Sequence, residues 1–232
     1  MAHKLKIGVL LSGSGVYDGS EIHESVLSLL AIDKNGCEAI CIAPDIQQHH
    51  VVNHLDGSEM DETRNVLVES ARIARGAIKP LSDFDISEID ALLIPGGFGA
   101  AKNLSKWAFS GHKGDIDPSV KQLIVACNEA RKPIAALCMG PTVVAKALAE
   151  KELDEKLTVG TVDSPSPYDI ADISNGMNSL GADAKMAEAY EAVVDADNLI
   201  VSSPCYMMDA TIGMINEGIQ QSVTKLIALC RR

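Results

Sequence analysis

The chain has 232 residues, 47% of them hydrophobic, and no linker or low-complexity segment divides it, so we expect one globular domain over residues 1–232. Only 3% of the residues are aromatic, which means that the core must be mostly aliphatic. The formal net charge of −12 excludes a general affinity for nucleic acid or anionic membranes, because no basic surface is available to neutralise phosphates.

The first predicted element is a buried strand over residues 5–11, followed by a glycine-containing loop over residues 12–20. The loop approaches the G-x-G-x-x-G dinucleotide pattern, but Asp18 occupies the position of the third glycine. A carboxylate there would sit where a close phosphate approach is needed. We therefore expect no dinucleotide site and no cofactor.

A helix follows, with Ser20 suited to cap its start and Gly36 suited to end it. Its apolar stripe at helical spacing, which predicts the face that covers the sheet, consists of Ile22, Val26, Leu29 and Leu30. Glu24 lies off this stripe. Periodicity alone therefore predicts that Glu24 is a solvated carboxylate.

The segment after the second predicted strand (residues 38–43) contains His49, His50 and His54. Histidine is a common metal ligand, but the spacing matches no recognised pattern such as H-E-x-x-H. We therefore expect no metal site, and we interpret the segment as a loop or lid. A short helix is predicted over residues 63–75.

The next informative stretch is an apolar strand, residues 89–94, that runs into Gly96, Gly97 and Gly99. Glycines allow backbone N–H groups to point at a ligand instead of joining a sheet ladder. The alternative is an ordinary strand-ending turn, and this stretch alone does not decide between the two.

A helix over residues 117–131 leads into a strand over 133–138 and a further helix over 142–150. Ala136 and Gly140 flank Cys138 at the spacing of a nucleophile elbow, and Pro141 suits the first turn of a helix. A helix N-terminus favours the thiolate of such a cysteine. The alternative is a buried cysteine that acts as a small hydrophobic residue.

The remaining predicted elements are strands at 157–160, 192–194 (an edge strand) and 199–203, and helices at 170–180 and 208–229. Alternating strands and helices predict an α/β fold: a three-layer α/β/α sandwich with a mostly parallel, flavodoxin-like sheet. Sites in such folds lie at the carboxyl ends of strands, where Cys138 and Gly97 both fall.

The six cysteines are scattered, without Cys-x-x-Cys spacing, and Cys37 and Cys41 lack the partners of a zinc site. The apolar N-terminal run is too short for a signal peptide or a membrane span. These features predict a cytoplasmic location.

Four stretches together resemble the DJ-1/PfpI superfamily, and within it the ElbB/ES1 branch described as isoprenoid-biosynthesis glyoxalases. They are residues 15–24, 63–67 and 95–104 and the turn at Cys138, and the resemblance covers essentially the whole chain. It implies a DJ-1-like fold and a homodimer.

The resemblance also implies roles for four residues. Cys138 would be the nucleophile, and Glu24 would be its partner carboxylate. The N–H groups of Gly97 and Met139 would hold the substrate oxygen. For Glu24, this replaces the interpretation from periodicity.

Two departures from the family pattern limit the reaction. Met139 stands where proposed proteases of the superfamily have histidine, and no histidine follows His112. A cysteine that attacks an amide needs a general acid for the leaving amine, so protease and glutaminase activities are disfavoured.

We therefore predict a weak, cofactor-independent glyoxalase, a glyoxalase III-like hydro-lyase acting on small aldehydes such as glyoxal and methylglyoxal. Glu24 is expected to hold a proton at rest and leave Cys138 as a thiolate. The alternatives are a cysteine-based redox or stress sensor and a non-catalytic regulatory protein linked to isoprenoid production.

Overall fold

Strands and helices alternate along most of the chain in the computed structural model, which describes residues 4–231. The strands are β1 (Lys6–Leu10), β2 (Glu38–Ala43), β3 (Ile78–Pro80), β4 (Ala91–Ile94), β5 (Ile134–Leu137), β6 (Lys156–Gly160), β7 (Asp183–Met186), β8 (Val193–Asp195) and β9 (Ile200–Ser203). The α-helices are α1 (Ile22–Lys34), α2 (Val66–Ile73), α3 (Trp107–Ser110), α4 (Pro118–Glu129), α5 (Gly140–Leu148), α6 (Ile170–Asn178) and α7 (Ile212–Cys230).

Seven of these strands form the main sheet, in the order β3-β2-β1-β4-β5-β9-β8. All neighbours in it are parallel except β8, which pairs antiparallel with β9 at the edge. The central strands β4 and β5 are buried along their whole length. Helices α1 and α7 pack together, as do α4 and α5, and helices cover both faces of the sheet. The predicted three-layer α/β/α sandwich is therefore confirmed.

A second sheet contains only β6 and β7, paired in parallel. The apolar run at 157–160 predicts β6, but β7 has the sequence Asp-Ala-Lys-Met and gives almost no apolar signal. This small sheet packs beside β8 and β9. A strand with charged residues was not recognisable from its own sequence.

The predicted buried stripe of α1 is wrong for three of its four residues. Ile22, Val26 and Leu30 are 45%, 49% and 41% exposed, whereas Leu29 is half-buried and packs against the core. The buried residues of this helix are instead Glu24, Ser25, Ser28, Ala31 and Ile32. The small side chains among them allow a close approach to α7.

A single cluster of buried apolar residues extends from Ile7 to Leu229 and includes residues of both sheets. One domain over residues 1–232 stays a prediction. Among residues 4–231, no helix combines the length and apolar character needed to cross a bilayer.

Candidate active site

The turn after β5 places Cys138 at the carboxyl edge of the main sheet. Its φ of 54° lies in the left-handed region, which is uncommon for residues other than glycine. Its N–H donates to the carbonyl of Ser203 over 2.9 Å, and α5 begins two residues later. The strand, sharp turn and helix that the spacing around Cys138 predicts are thus present.

Close approach of the backbone makes glycine necessary on the neighbouring turn after β4. A Cβ on Gly96 would lie 2.3 Å from the Cβ of Cys138 and 2.8 Å from Oε2 of Glu24. Gly97 has a φ of +92°, and a Cβ there would lie 2.4 Å from the nitrogen of Glu21. Neither position has room for a side chain.

Glu24 lies in the first turn of α1 and is completely buried. Its Oε2 accepts the N–H of Gly96 over 3.0 Å, and its Oε1 accepts the N–H of Tyr206 over 3.2 Å. It is also hydrogen-bonded to the thiol of Cys138. The solvated carboxylate predicted from periodicity is therefore wrong, and the partner implied by the resemblance lies in contact with Cys138.

Burial governs the electrostatics of this pair. It raises the pKa of Glu24 to about 8, with a further increase from the negative charge of Glu21. Burial also raises the pKa of Cys138 well above its ordinary value; Glu24 adds to this, while a hydrogen bond from the Gly97 N–H opposes it. The raised pKa of Glu24 agrees with the expectation that this residue holds a proton at rest. The raised pKa of Cys138 favours the thiol and contradicts the expected thiolate.

Cys138 opens into a cavity of about 210 Å³, which we call the inner cavity. Its lining includes the aromatic residues Phe98, Trp107, Tyr168 and Tyr206. Burial raises the pKa of Tyr168 to about 12, so this phenol is neutral at physiological pH. Met139 also lines the inner cavity, as part of its apolar wall.

A larger outer cleft of about 670 Å³ adjoins the inner cavity and shares Val16, Tyr168 and Tyr206 with it. The outer cleft is more polar and contains Glu21 and His23. His23 Nδ1 lies 2.9 Å from the hydroxyl of Tyr206. Tyr206 thus contacts the rim of the site with its side chain and Glu24 with its backbone.

Sequence reasoning missed Gly96, Tyr206 and Trp107 as contributors to the site. Tyr206 had a usable signal, because it follows β9 and residues beyond the carboxyl end of a parallel strand lie at the functional edge. Gly96 had a signal too, because it directly precedes Gly97 in the stretch whose N–H groups were expected to point at a ligand. Nothing local to Trp107 indicates that its ring reaches the inner cavity.

The three histidines of the 49–54 segment do not form a common site. His49 and His50 stack near Phe109, with ring centroids 4.4 Å apart for His49 and Phe109. His54 instead contacts Tyr17, whose N–H it accepts over 3.2 Å. Across residues 4–231, no three side chains of His, Cys, Asp or Glu are arranged to hold a metal ion.

Comparison with known proteins shows full-length relatives, although no family model matches the sequence. The human glutamine amidotransferase-like class 1 domain-containing protein 3, mitochondrial, is 38% identical; the match covers 97% of this chain and 83% of that protein. The rat ES1 protein homolog, mitochondrial, is 37% identical over 97% of this chain and 84% of that protein.

These names contradict the predicted cytoplasmic location, since both relatives are named mitochondrial. The prediction depended on scattered cysteines, which indicate only that no disulfide framework is built and do not distinguish one reducing compartment from another.

Solved structures show the same fold. The crystal structure of an isoprenoid biosynthesis protein with an amidotransferase-like domain from Ehrlichia chaffeensis has a TM-score of 0.87 at 33% identity, covering 97% of this chain and 99% of that one. Drosophila melanogaster DJ-1beta, at 15% identity, has a TM-score of 0.51, covering 99% of this chain and 97% of that one, a likeness of fold alone. The chain therefore belongs to the ES1 family of proteins with a class 1 glutamine amidotransferase-like domain.

Proposed function

We propose that this protein is a cofactor-independent glyoxalase that converts small 2-oxoaldehydes to 2-hydroxy acids. The observation that carries the proposal is the hydrogen-bonded pair of Cys138 and Glu24, both of which are buried. Cys138 lines a mainly apolar cavity, and Glu24 lies behind it, outside the lining. A nucleophile with an adjacent base and nearby N–H donors is the arrangement that addition to a carbonyl requires.

In the first step, the sulfur of Cys138 forms a bond to the aldehyde carbon while the thiol proton passes to the carboxylate of Glu24. The carbonyl oxygen becomes an oxyanion, which the N–H groups of Gly97 and Met139 would stabilise. Return of the proton from Glu24 gives the hemithioacetal. The raised pKa of Cys138 favours this concerted use of Glu24 as base over a preformed thiolate.

In the second step, Glu24 removes the proton from the carbon now bonded to sulfur, and the negative charge of the resulting enediolate lies on the neighbouring oxygen. The same carboxyl returns the proton to the neighbouring carbon, while the hydroxyl proton of the hemithioacetal moves to the neighbouring oxygen, which produces a thioester. Water then cleaves the thioester to the 2-hydroxy acid and the free thiol. One carbon is oxidised as its neighbour is reduced, so the sequence needs no external oxidant or reductant.

The inner cavity does not supply what amide hydrolysis needs. None of its twelve lining residues is a histidine, and Met139 provides a thioether, which cannot protonate a leaving amine. An aldehyde has no leaving group. This contrast supports aldehyde chemistry over protease or glutaminase activity.

The test is lactate formation from methylglyoxal by the purified protein, with Cys138→Ala as the control. We expect turnover by the wild type and none above background by the variant. Absence of lactate with the wild type, or full activity in the variant, refutes the proposal.

We also propose a homodimer, which is usual in the superfamily. The exposed apolar side chains of Ile22, Val26 and Leu30 on α1 offer a surface that a second copy could cover. Light scattering after gel filtration measures the mass in solution. We expect the mass of two chains for the wild type and a shift toward one chain for Val26→Lys.

We also propose a link to isoprenoid biosynthesis, because the similar protein from Ehrlichia chaffeensis is described as an isoprenoid biosynthesis protein. Deletion of the gene should change isoprenoid levels in the cell. Complementation by the wild type, but not by Cys138→Ala, would tie that effect to catalysis; equal complementation by both would indicate a non-catalytic role.

A further inference from the structure

The inner cavity is larger than glyoxal or methylglyoxal requires. Its volume is about 210 Å³, whereas a dry apolar cavity of about 150 Å³ is enough to bind benzene. The excess of about 60 Å³ is roughly the liquid volume of two water molecules. A six-membered ring and a two-carbon reacting unit would therefore fill this space together.

Aromatic side chains are concentrated around this cavity. The chain contains only three Phe, four Tyr and one Trp, and half of these eight residues line the inner cavity. They are Phe98, Trp107, Tyr168 and Tyr206. The rings of Phe98 and Tyr168 meet edge to face, with centroids 5.9 Å apart. Flat, polarisable walls favour a flat apolar ligand, because aromatic pairs gain more than their buried area alone.

The lining of the cavity is also uncharged. None of its twelve residues is Asp, Glu, Lys, Arg or His, so a phosphate or carboxylate on the substrate would lose its water without gaining a cation. Lys102 lies close by, with its amine 5.4 Å from the centroid of the Phe98 ring. Its amine is bonded to the carbonyl of Tyr17, and Lys102 is not part of the lining.

From volume, aromatic lining and neutrality together, we infer that the preferred substrates are uncharged 2-oxoaldehydes that carry an aryl group or an alkyl group of similar bulk. This inference rests on the proposed function and specifies its substrate class. The same reaction applies: phenylglyoxal and one water give mandelate, with the aldehyde carbon oxidised and the ketone carbon reduced.

The experiment compares kcat/KM for phenylglyoxal and methylglyoxal by quantifying mandelate and lactate, so that arginine modification by phenylglyoxal is not counted as turnover. We expect at least a tenfold preference for phenylglyoxal, because each added apolar group in a fitted pocket is worth roughly ten- to two-hundredfold.

Two variants change the free volume of the inner cavity at Ile173, a half-buried lining residue on α6. Ile173→Trp should fill the space and lower the ratio of kcat/KM for phenylglyoxal to kcat/KM for methylglyoxal at least tenfold. Ile173→Ala is the matched control, in which the space is enlarged and the preference for phenylglyoxal is kept.

The outcomes separate the two proposals. Turnover of methylglyoxal with equal or better efficiency than phenylglyoxal overturns the substrate class and leaves the glyoxalase activity standing. If neither aldehyde is converted, the glyoxalase proposal fails, and the fit of the cavity is decided by calorimetry on Cys138→Ala. Binding of 2-hydroxyacetophenone at least tenfold tighter than hydroxyacetone then supports an aryl-binding cavity, and equal or absent binding refutes it.

Discussion

Two cysteines lie at the carboxyl ends of adjacent strands, and they differ in ways that indicate what a reactive site needs. Cys138 follows β5 with φ 54°, and Cys205 follows β9 with φ 48°. Both are buried, and burial raises the pKa of both thiols well above the ordinary value. Backbone strain and burial are thus common to the pair.

Cys138 differs from Cys205 by its hydrogen bond to a base and by the open space beside it. Its thiol is hydrogen-bonded to Glu24, its sulfur accepts the Gly97 N–H, and it lines the inner cavity. The thiol of Cys205 bonds weakly to the hydroxyl of Ser203 over 3.9 Å, and the residue lines neither the inner cavity nor the outer cleft. The comparison shows that an unusual φ marks a sharp turn at both positions, whereas only Cys138 has the neighbours on which the proposed reactivity depends.

The largest expected effect separates the two cysteines directly. Cys138→Ala should lower turnover of 2-oxoaldehydes by about a thousandfold or more, because it removes the nucleophile. Cys205→Ala should leave turnover within about threefold, with a loss of about 1 kcal/mol in the free energy of unfolding. Steady-state kinetics measures turnover, and urea unfolding measures the free energy of unfolding. Equal losses of activity would mean that both thiols take part.

Glu24→Gln tests the base that Cys205 lacks. We expect this substitution to lower turnover roughly a hundred- to ten-thousandfold. Since the pKa of Glu24 is raised to about 8 and a base must be deprotonated, wild-type kcat/KM should rise with pH through about 8. The variant should lose this rise. A wild-type profile that is flat from pH 6 to 9 would argue against Glu24 as the base.

Gly96→Ala tests the space between the acid and the thiol. The added Cβ would lie 2.3 Å from the Cβ of Cys138, so we expect a cost of about 1–3 kcal/mol in stability together with reduced turnover. Gly213→Ala is the matched control, because the contact found for its added Cβ is at 3.7 Å and alanine suits a helix. Thermal unfolding measures the stability of the two variants, and equal stability would contradict the prediction.

The last expected effect concerns the pH dependence of stability. The folded-state pKa of Glu24 is about 8 against 4.5 for a free carboxyl. The neutral form therefore stabilises the fold fully below pH 4.5, and this contribution is lost as the pH rises toward 8. The slope is about 1.4 kcal/mol per pH unit. Glu24→Gln should lower the slope by this amount in urea titrations between pH 5 and 7, while the contributions of Glu155 and Glu21, whose pKa values burial also raises, should remain. An unchanged slope would contradict the raised pKa of Glu24.

Local patterns in the sequence were enough to predict the sheet and the turn at Cys138. Apolar runs and helix-compatible segments alternate, and the small residues Ala136 and Gly140 mark the sharp turn. These features depend on neighbours in the chain, which the sequence displays directly.

Other parts of the site depend on contacts between distant segments. The buried face of α1 is determined by its packing against α7, so the apolar stripe through Val26 does not mark that face. Only the family resemblance indicated Glu24. The inner cavity is formed by Trp107, Tyr168 and Tyr206, which are far apart in the sequence. No local pattern could show that they converge.

The hydrogen bonds that reach the reacting pair from the main chain have a consequence for engineering. Gly96 and Tyr206 hold Glu24 with backbone N–H groups, and Gly97 does the same for Cys138. Exchanging the side chain at position 206 therefore removes none of these bonds. Libraries of variants at the aromatic wall can explore new substrates while the chemistry stays in place, which makes this scaffold a favourable starting point for directed evolution.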